Sequence, residues 1–98
     1  MTITKKQNGP ALEIAVEGRL DTMTSPELEN ELKICLGSAD SLVLDCEKLD
    51  YISSAGLRVL LNAYKAMNGK GGMRLLHVNE IVREVFEVTG FADVLTIE

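Results

Sequence analysis

The sequence predicts one α/β domain over residues 1–98, built on a mostly parallel sheet of about five strands with an antiparallel edge strand and about three helices mainly on one face. Three observations carry this. Short segments of strand character alternate along the chain with longer segments of helical period. Single helices between successive strands require parallel pairing through right-handed crossovers, and crossovers taken in one direction put their helices on the same face. The length, 98 residues, suits one domain. Size scaling gives a folded surface of roughly 5,500 Å² against roughly 15,500 Å² extended, so folding buries about 64% and one modest core forms without a metal or disulfide staple.

Each element follows from its residues. Ile3 lies in a short extended segment, and Asn8-Gly9-Pro10 is a turn signal. Leu12, Ile14 and Val16 then alternate with Ala11, Glu13, Ala15 and Glu17, the period of a half-buried strand. The two strands are expected to form a hairpin with the first at the edge. Thr24 and Glu27 have the spacing of a capping box, and Pro26 suits a first helical turn. Leu28, Leu32, Cys35 and Leu36 make one apolar helical face, with Gly37 as its stop. Leu42-Val43-Leu44 reads as a strand buried on both faces. After the segment from Asp45 to Ser54 a second helix runs to about Asn68, with Arg58, Asn62 and Lys65 as its polar stripe, and Gly69, Gly71 and Gly72 end it. Met73 to Leu76 reads as a strand. Asn79 caps a third helix bearing Ile81, Val82, Val85 and Phe86, closed by Gly90, and Val94 to Ile97 is a last short strand. The expected core is Leu12, Ile14, Val16, Leu28, Leu32, Leu42, Leu44, Leu60, Leu61, Leu75, Val85 and Phe86.

Composition narrows the function. The formal net charge is −5. Nucleic acid binding needs clustered Lys and Arg, and an anionic membrane surface needs the same, so neither is expected. The excess acid lies in residues 1–50, which permits a basic or metal-bearing partner there without requiring one. No apolar run approaches the roughly 20 residues of a membrane span, and the N-terminus lacks a signal-peptide apolar region. Cys35 and Cys46 are not a CxxC pair, and with His77 as the only histidine they do not supply a structural zinc site. Both thiols are expected to be buried, which suits a reducing cytoplasm. Nothing implies a cofactor or a resident metal.

In open parallel sheets, ligands and reactive groups gather past the carboxyl ends of the strands. The loops expected there are 18–24, 45–54, 77–79 and 90–93. The segment 45–58 puts two hydroxyls, Ser53 and Ser54, at the mouth of the second helix. Unpaired N–H groups there favour an anion, so a phosphate on Ser54 would find donors in place. Physical chemistry alone leaves a second reading open, in which either serine is simply a helix cap.

Asp-Tyr-Ile-Ser-Ser-Ala-Gly-Leu-Arg-Val-Leu-Leu, residues 50–61, resembles the signature of the STAS domain, in particular that of the small anti-sigma factor antagonists. Gly18-Arg19-Leu20-Asp21 resembles the family's other marker, and Val43-Leu44-Asp45 and Val88-Thr89-Gly90-Phe91 also sit where the family has similar residues. The resemblance covers nearly the whole chain. It implies a phosphorylation switch: the unmodified protein binds an anti-sigma factor that is also a serine kinase, a sigma factor is freed, and phosphorylation at the helix mouth ends binding. A serine phosphatase of the metal-dependent type resets the cycle. The position implied for the acceptor is Ser54, with Ser53 as the alternative. Sporulation-type members have Asp immediately before the acceptor, whereas Ser53 stands there in this chain. The implied partner surface comprises Asp21, Thr22, Ser53, Ser54, Ala55, Gly56 and Arg58, and the free protein is expected to be a cytoplasmic monomer.

The competing function is a structural STAS subunit of a transporter or of a stress-signalling assembly, needing the fold but no phosphate cycle. An enzyme is not expected. Ile-Ser-Ser-Ala-Gly lacks the first glycine of a hydrolase elbow, and Asn68 to Gly72 does not match a P-loop. His77 is expected to be a satisfied or exposed histidine rather than a catalytic one.

Overall fold

The computed structural model describes residues 1–98. Thr2–Asn8 (β1) and Ala11–Leu20 (β2) form an antiparallel hairpin whose register runs from Thr2 opposite Glu17 to Asn8 opposite Ala11. There follow Ser25–Cys35 (α1), Ser41–Ile52 (β3), Ser54–Met67 (α2), Met73–Leu76 (β4), Glu80–Thr89 (α3) and Thr96–Ile97 (β5). Every pairing after the hairpin is parallel, and the strands stand in the sheet in chain order. Each crossover therefore steps in the same direction, and right-handedness places all three helices on one face.

Alternation along the strands sorts residues between the faces. Leu12, Ile14 and Val16 of β2, Leu42, Leu44 and Cys46 of β3, and Met73 and Leu75 of β4 are buried toward the helices. They share one cluster with Leu28 and Leu32 of α1, Leu57 and Leu60 of α2, and Val82 and Phe86 of α3. The opposite face carries Glu13, Ala15, Glu17, Val43 and Asp45 and has no helix over it. The accessible surface is 5491 Å², in line with the size scaling. No helix is long and apolar enough to cross a membrane.

Several expectations are corrected. The segment expected as a loop over 45–54 is strand as far as Ile52, and β2 runs on through Gly18 and Arg19 to Leu20. The cause is two bulges in β3. The pairing steps from Ala15–Asp45 to Glu17–Lys48, and from Gly18–Leu49 to Arg19–Tyr51, so β3 gains one residue at each step. Buried residues then fall at Cys46, Leu49 and Ile52, a spacing of three that hides the strand's period of two. At the end of α1, Leu36–Ser38 continues as a 3₁₀ turn, so Gly37 lies within that turn rather than stopping the helix. Leu61 and Val85 are only half-buried, as are Val43 and Cys35, while Ile81 is 61% exposed. The apolar stripes of α2 and α3 are wider than the area of sheet beneath them, and residues at the stripe edges stay in contact with water. The expectation for α3 is otherwise met. Asn79 Oδ1 accepts from the Val82 N–H at 2.8 Å, and Gly90 ends the helix at φ +84°.

Candidate functional site

The register of β2 on β3 brings two distant segments together. Leu20 pairs with Ile52, so both strands end side by side, and the Asp21 loop and α2 begin at the same edge. The Ser53 N–H donates to the Leu20 carbonyl at 2.9 Å. The Ser53 carbonyl accepts the first intrahelical bond, from the Leu57 N–H at 2.9 Å. Ser53 is therefore the N-cap, in extended backbone, and Ser54 is the first helical residue. The N–H groups of Ser54, Ala55 and Gly56 have no acceptor within the helix.

The two hydroxyls differ in access. Ser54 is exposed. Ser53 is half-buried, its Oγ is shut off from solvent, and it makes neither a cap bond nor any other hydrogen bond. The first turn of α2 holds no carboxylate, whereas Glu27 and Glu80 stand in the first turns of α1 and α3. The first turn of α2 thus supplies no counter-charge of its own to the positive end of the dipole.

Gly56 makes this junction possible. A Cβ there would stand 2.8 Å from Ile52 Cγ1, 2.8 Å from Leu20 Cγ and 2.9 Å from the Leu20 carbonyl oxygen. The requirement is steric, set by how closely the helix mouth approaches the end of β2. Gly56→Ala is expected to cost about 1–3 kcal/mol by overpacking. A thermal melt matching wild type would show that α2 can lift away from Leu20 freely.

Asp21 closes the other side of the junction. Its Oδ1 accepts from the Met23 N–H at 3.0 Å and the Thr24 N–H at 3.2 Å, and lies 3.2 Å from Thr24 Oγ1. Thr24 Oγ1 in turn donates to the Arg19 carbonyl at 2.7 Å and accepts from the Asp21 N–H at 2.9 Å. This corrects the capping-box expectation: Thr24 holds the N-cap position of α1 without a side-chain cap bond, and its hydroxyl ties the loop back to β2. Desolvation alone would raise the Asp21 pKa. The hydrogen bonds from Thr24 and Met23, with Arg19 nearby, outweigh it and hold the carboxyl below its ordinary 3.8. A depressed folded-state pKa contributes stability that is present above the unfolded value and lost as pH falls through the folded one. The stability difference between wild type and Asp21→Asn should therefore be constant near neutrality and shrink as pH falls below about 3.8, read by urea denaturation across pH. A gap unchanged at acid pH would remove the carboxylate from this role.

Of the other expected residues, Thr22 is exposed, Ala55 half-buried and Arg58 exposed one turn into α2. Sequence reasoning missed Arg19, whose guanidinium lies 4.3 Å from the centroid of the Tyr51 ring and whose Nε is 3.8 Å from Asp21 Oδ2. The signal was the Arg19–Tyr51 pairing, legible only once the bulges are known. Also missed was Asn79 Nδ2, which donates to the Leu49 carbonyl at 2.8 Å and pins the start of α3 to β3.

Asp45 and Glu47, read as part of the serine loop, lie instead within β3, where Asp45 Oδ1 is 3.0 Å from His77 Nδ1 and 3.0 Å from the Glu47 N–H. Partial burial pushes the Asp45 pKa up. The bonds from His77 and Glu47 prevail and lower it, while the same carboxylate raises that of His77. Cys46 is buried as expected, and desolvation pushes its thiol up to about 12, far from a reactive thiolate.

Comparison with known proteins agrees with this architecture. The sequence model of the STAS domain matches residues 2–98. The chain is 34% identical to BtrV of Bordetella bronchiseptica, which is named provisionally as an anti-sigma factor antagonist, over 99% of this chain and 85% of that one. It is 33% identical to an anti-sigma-B factor antagonist of Staphylococcus aureus over 85% of this chain and 79% of the relative. Among solved structures, an anti-sigma factor antagonist from Mycobacterium paratuberculosis superposes with a TM-score of 0.89 at 22% identity, covering 98% of this chain and 83% of that one. That likeness concerns the fold. With a family match over almost its entire length and relatives named as antagonists of anti-sigma factors, the chain belongs to the STAS domain family.

Proposed function

We propose that this protein is an anti-sigma factor antagonist switched by phosphorylation at Ser54. In its unmodified state it binds an anti-sigma factor with serine kinase activity and so releases a sigma factor. Phosphate on Ser54 ends that binding, and a metal-dependent serine phosphatase restores it. The protein acts in the cytoplasm and is a monomer when free. The partner surface is built from Asp21, Thr22, Ser54, Ala55 and Arg58, while Gly56, buried against Leu20, and Ser53, with its Oγ sealed from solvent, shape the helix mouth beneath it.

The observation that carries this reading is the contrast at the mouth of α2: an exposed Ser54 at the first helical position, beside a Ser53 whose Oγ is sealed from solvent. A kinase reaches the first hydroxyl and not the second. Phosphate would add about −1.5 to −2 charge at pH 7. The free N–H groups and the helix dipole receive that charge, so the fold tolerates it. A partner surface packed over Ser54 does not, because the charge would be desolvated there. Met23, 85% exposed on the adjoining loop, adds an apolar contact for such a partner. The relatives named as anti-sigma-B factor antagonists support the same reading.

The test is incubation with the cognate kinase and ATP, read by intact mass. Ser54→Ala is expected to abolish incorporation with little change in melting temperature, and Ser53→Ala to retain it. Incorporation that survives Ser54→Ala and disappears in Ser53→Ala would move the acceptor by one residue. No incorporation into wild type would favour the structural subunit.

A further inference from the structure

We propose that Asp45, Glu47 and His77 form a binding site for a divalent transition-metal ion of the zinc type, on the sheet face that no helix covers. Cysteine and histidine counts gave no reason to expect one; the fold assembles it from two adjacent strands. Asp45 and Glu47 lie two apart on β3, with Cys46 between them buried toward the helices, so both carboxylates point to the open face. Asp45 pairs with Leu76 of β4, and His77 is the next residue. Its Nδ1 thereby comes to 3.0 Å from Asp45 Oδ1. One donor atom from each of the three residues lies within 4.8 Å of the others.

These spacings suit a small ion. Metal–ligand distances of about 2.0–2.2 Å put neighbouring donors about 3–3.5 Å apart. The His77–Asp45 separation already falls there, and the exposed Glu47 side chain reaches the rest by rotation. A bound ion would replace the direct His77–Asp45 contact, sitting to one side of the Nδ1–Oδ1 line and bonded to both atoms. A cavity of about 270 Å³ opens beside the two carboxylates, lined also by Thr2, Thr4 and Glu17, and gives room for water ligands. Lys48 on its wall opposes a cation, and Glu17 on the same wall favours one. One imidazole nitrogen with two carboxylates selects zinc, nickel or copper over calcium and magnesium, which prefer all-oxygen shells. The site is independent of the serine switch, so either can fail without the other.

The experiment is calorimetric titration of the intact protein with Zn²⁺, using wild type, Asp45→Asn, His77→Asn and Cys35→Ser. His77 has a φ of +59°, a conformation that Asn also adopts, so His77→Asn should keep the fold, and matched melts check this. One ion is expected to bind wild type and Cys35→Ser alike, and at least tenfold more weakly to each of the other two variants. Because His77 is the only histidine, its ring signals are a second readout that needs no variant: Ni²⁺ should broaden them before other resonances. Equal affinity in all four proteins, loss of binding in Cys35→Ser alone, or neither heat nor broadening at millimolar metal would overturn the proposal.

Discussion

Ser54→Asp is expected to bind the kinase at least tenfold more weakly than wild type while melting within a few degrees of it. The fold should hardly register the change. Ser54 is exposed at the first position of α2, where three N–H groups lack helical partners and the first turn holds no carboxylate. An exposed anion there gains about 0.3–1 kcal/mol from the dipole. Within the complex the same charge loses its water and faces whatever acceptors the partner presents. An unpaired buried interfacial charge costs about 2–5 kcal/mol, which at 1.4 kcal/mol per decade corresponds to roughly 30- to 4,000-fold in affinity. A carboxylate carries less charge than phosphate, so tenfold is a lower bound. Calorimetric titration against purified kinase, alongside thermal melts, measures both halves. Equal affinity for Ser54→Asp and wild type would leave the scaffold function as the better account.

The largest effect on stability is expected from Leu60→Ala, and its neighbour supplies the control. Leu60 is 0% exposed in the common core, whereas Leu61, one residue on, is only half-buried. Removing a fully buried leucine side chain costs about 2–5 kcal/mol, the spread reflecting how far the cavity collapses. For a domain this small, that lowers Tm by at least about 8 °C. Leu61→Ala should cost well under half as much, because part of its side chain stays in water in both states. Equivalent losses would mean that α2 is rotated about its axis so that Leu61 is as deeply buried as Leu60.

That pair of leucines marks where sequence reading loses resolution. Periodicity identified α2 and its apolar stripe, since positions three and four apart share a helix face wherever the helix ends up. It put Leu60 and Leu61 equally in the core because the stripe's edge is set by the width of sheet beneath it. The hairpin, the Asn79 cap and the Gly90 stop were legible because turn and cap chemistry depends on residues a few positions apart. The second half of β3 was not. Its two bulges space Cys46, Leu49 and Ile52 by three, and a bulge is recognised by what the neighbouring strand does.

The serine segment shows the same division. Its residues alone determined the family resemblance, the element order and a choice between two neighbouring hydroxyls. Only the tertiary structure sets their access to solvent, by burying Ser53 Oγ beneath the junction and leaving Ser54 exposed. It also set Gly56 against Leu20 and moved Asp45 and Glu47 from the serine's surroundings to His77 on the open face. The physical reason is range. Helix period, caps and turns are interactions among near neighbours, written in consecutive residues. Burial and the meeting of Leu20 with Ser53, or of Asp45 with His77, are fixed by the register between strands about thirty residues apart in the chain, which the core sets as a whole.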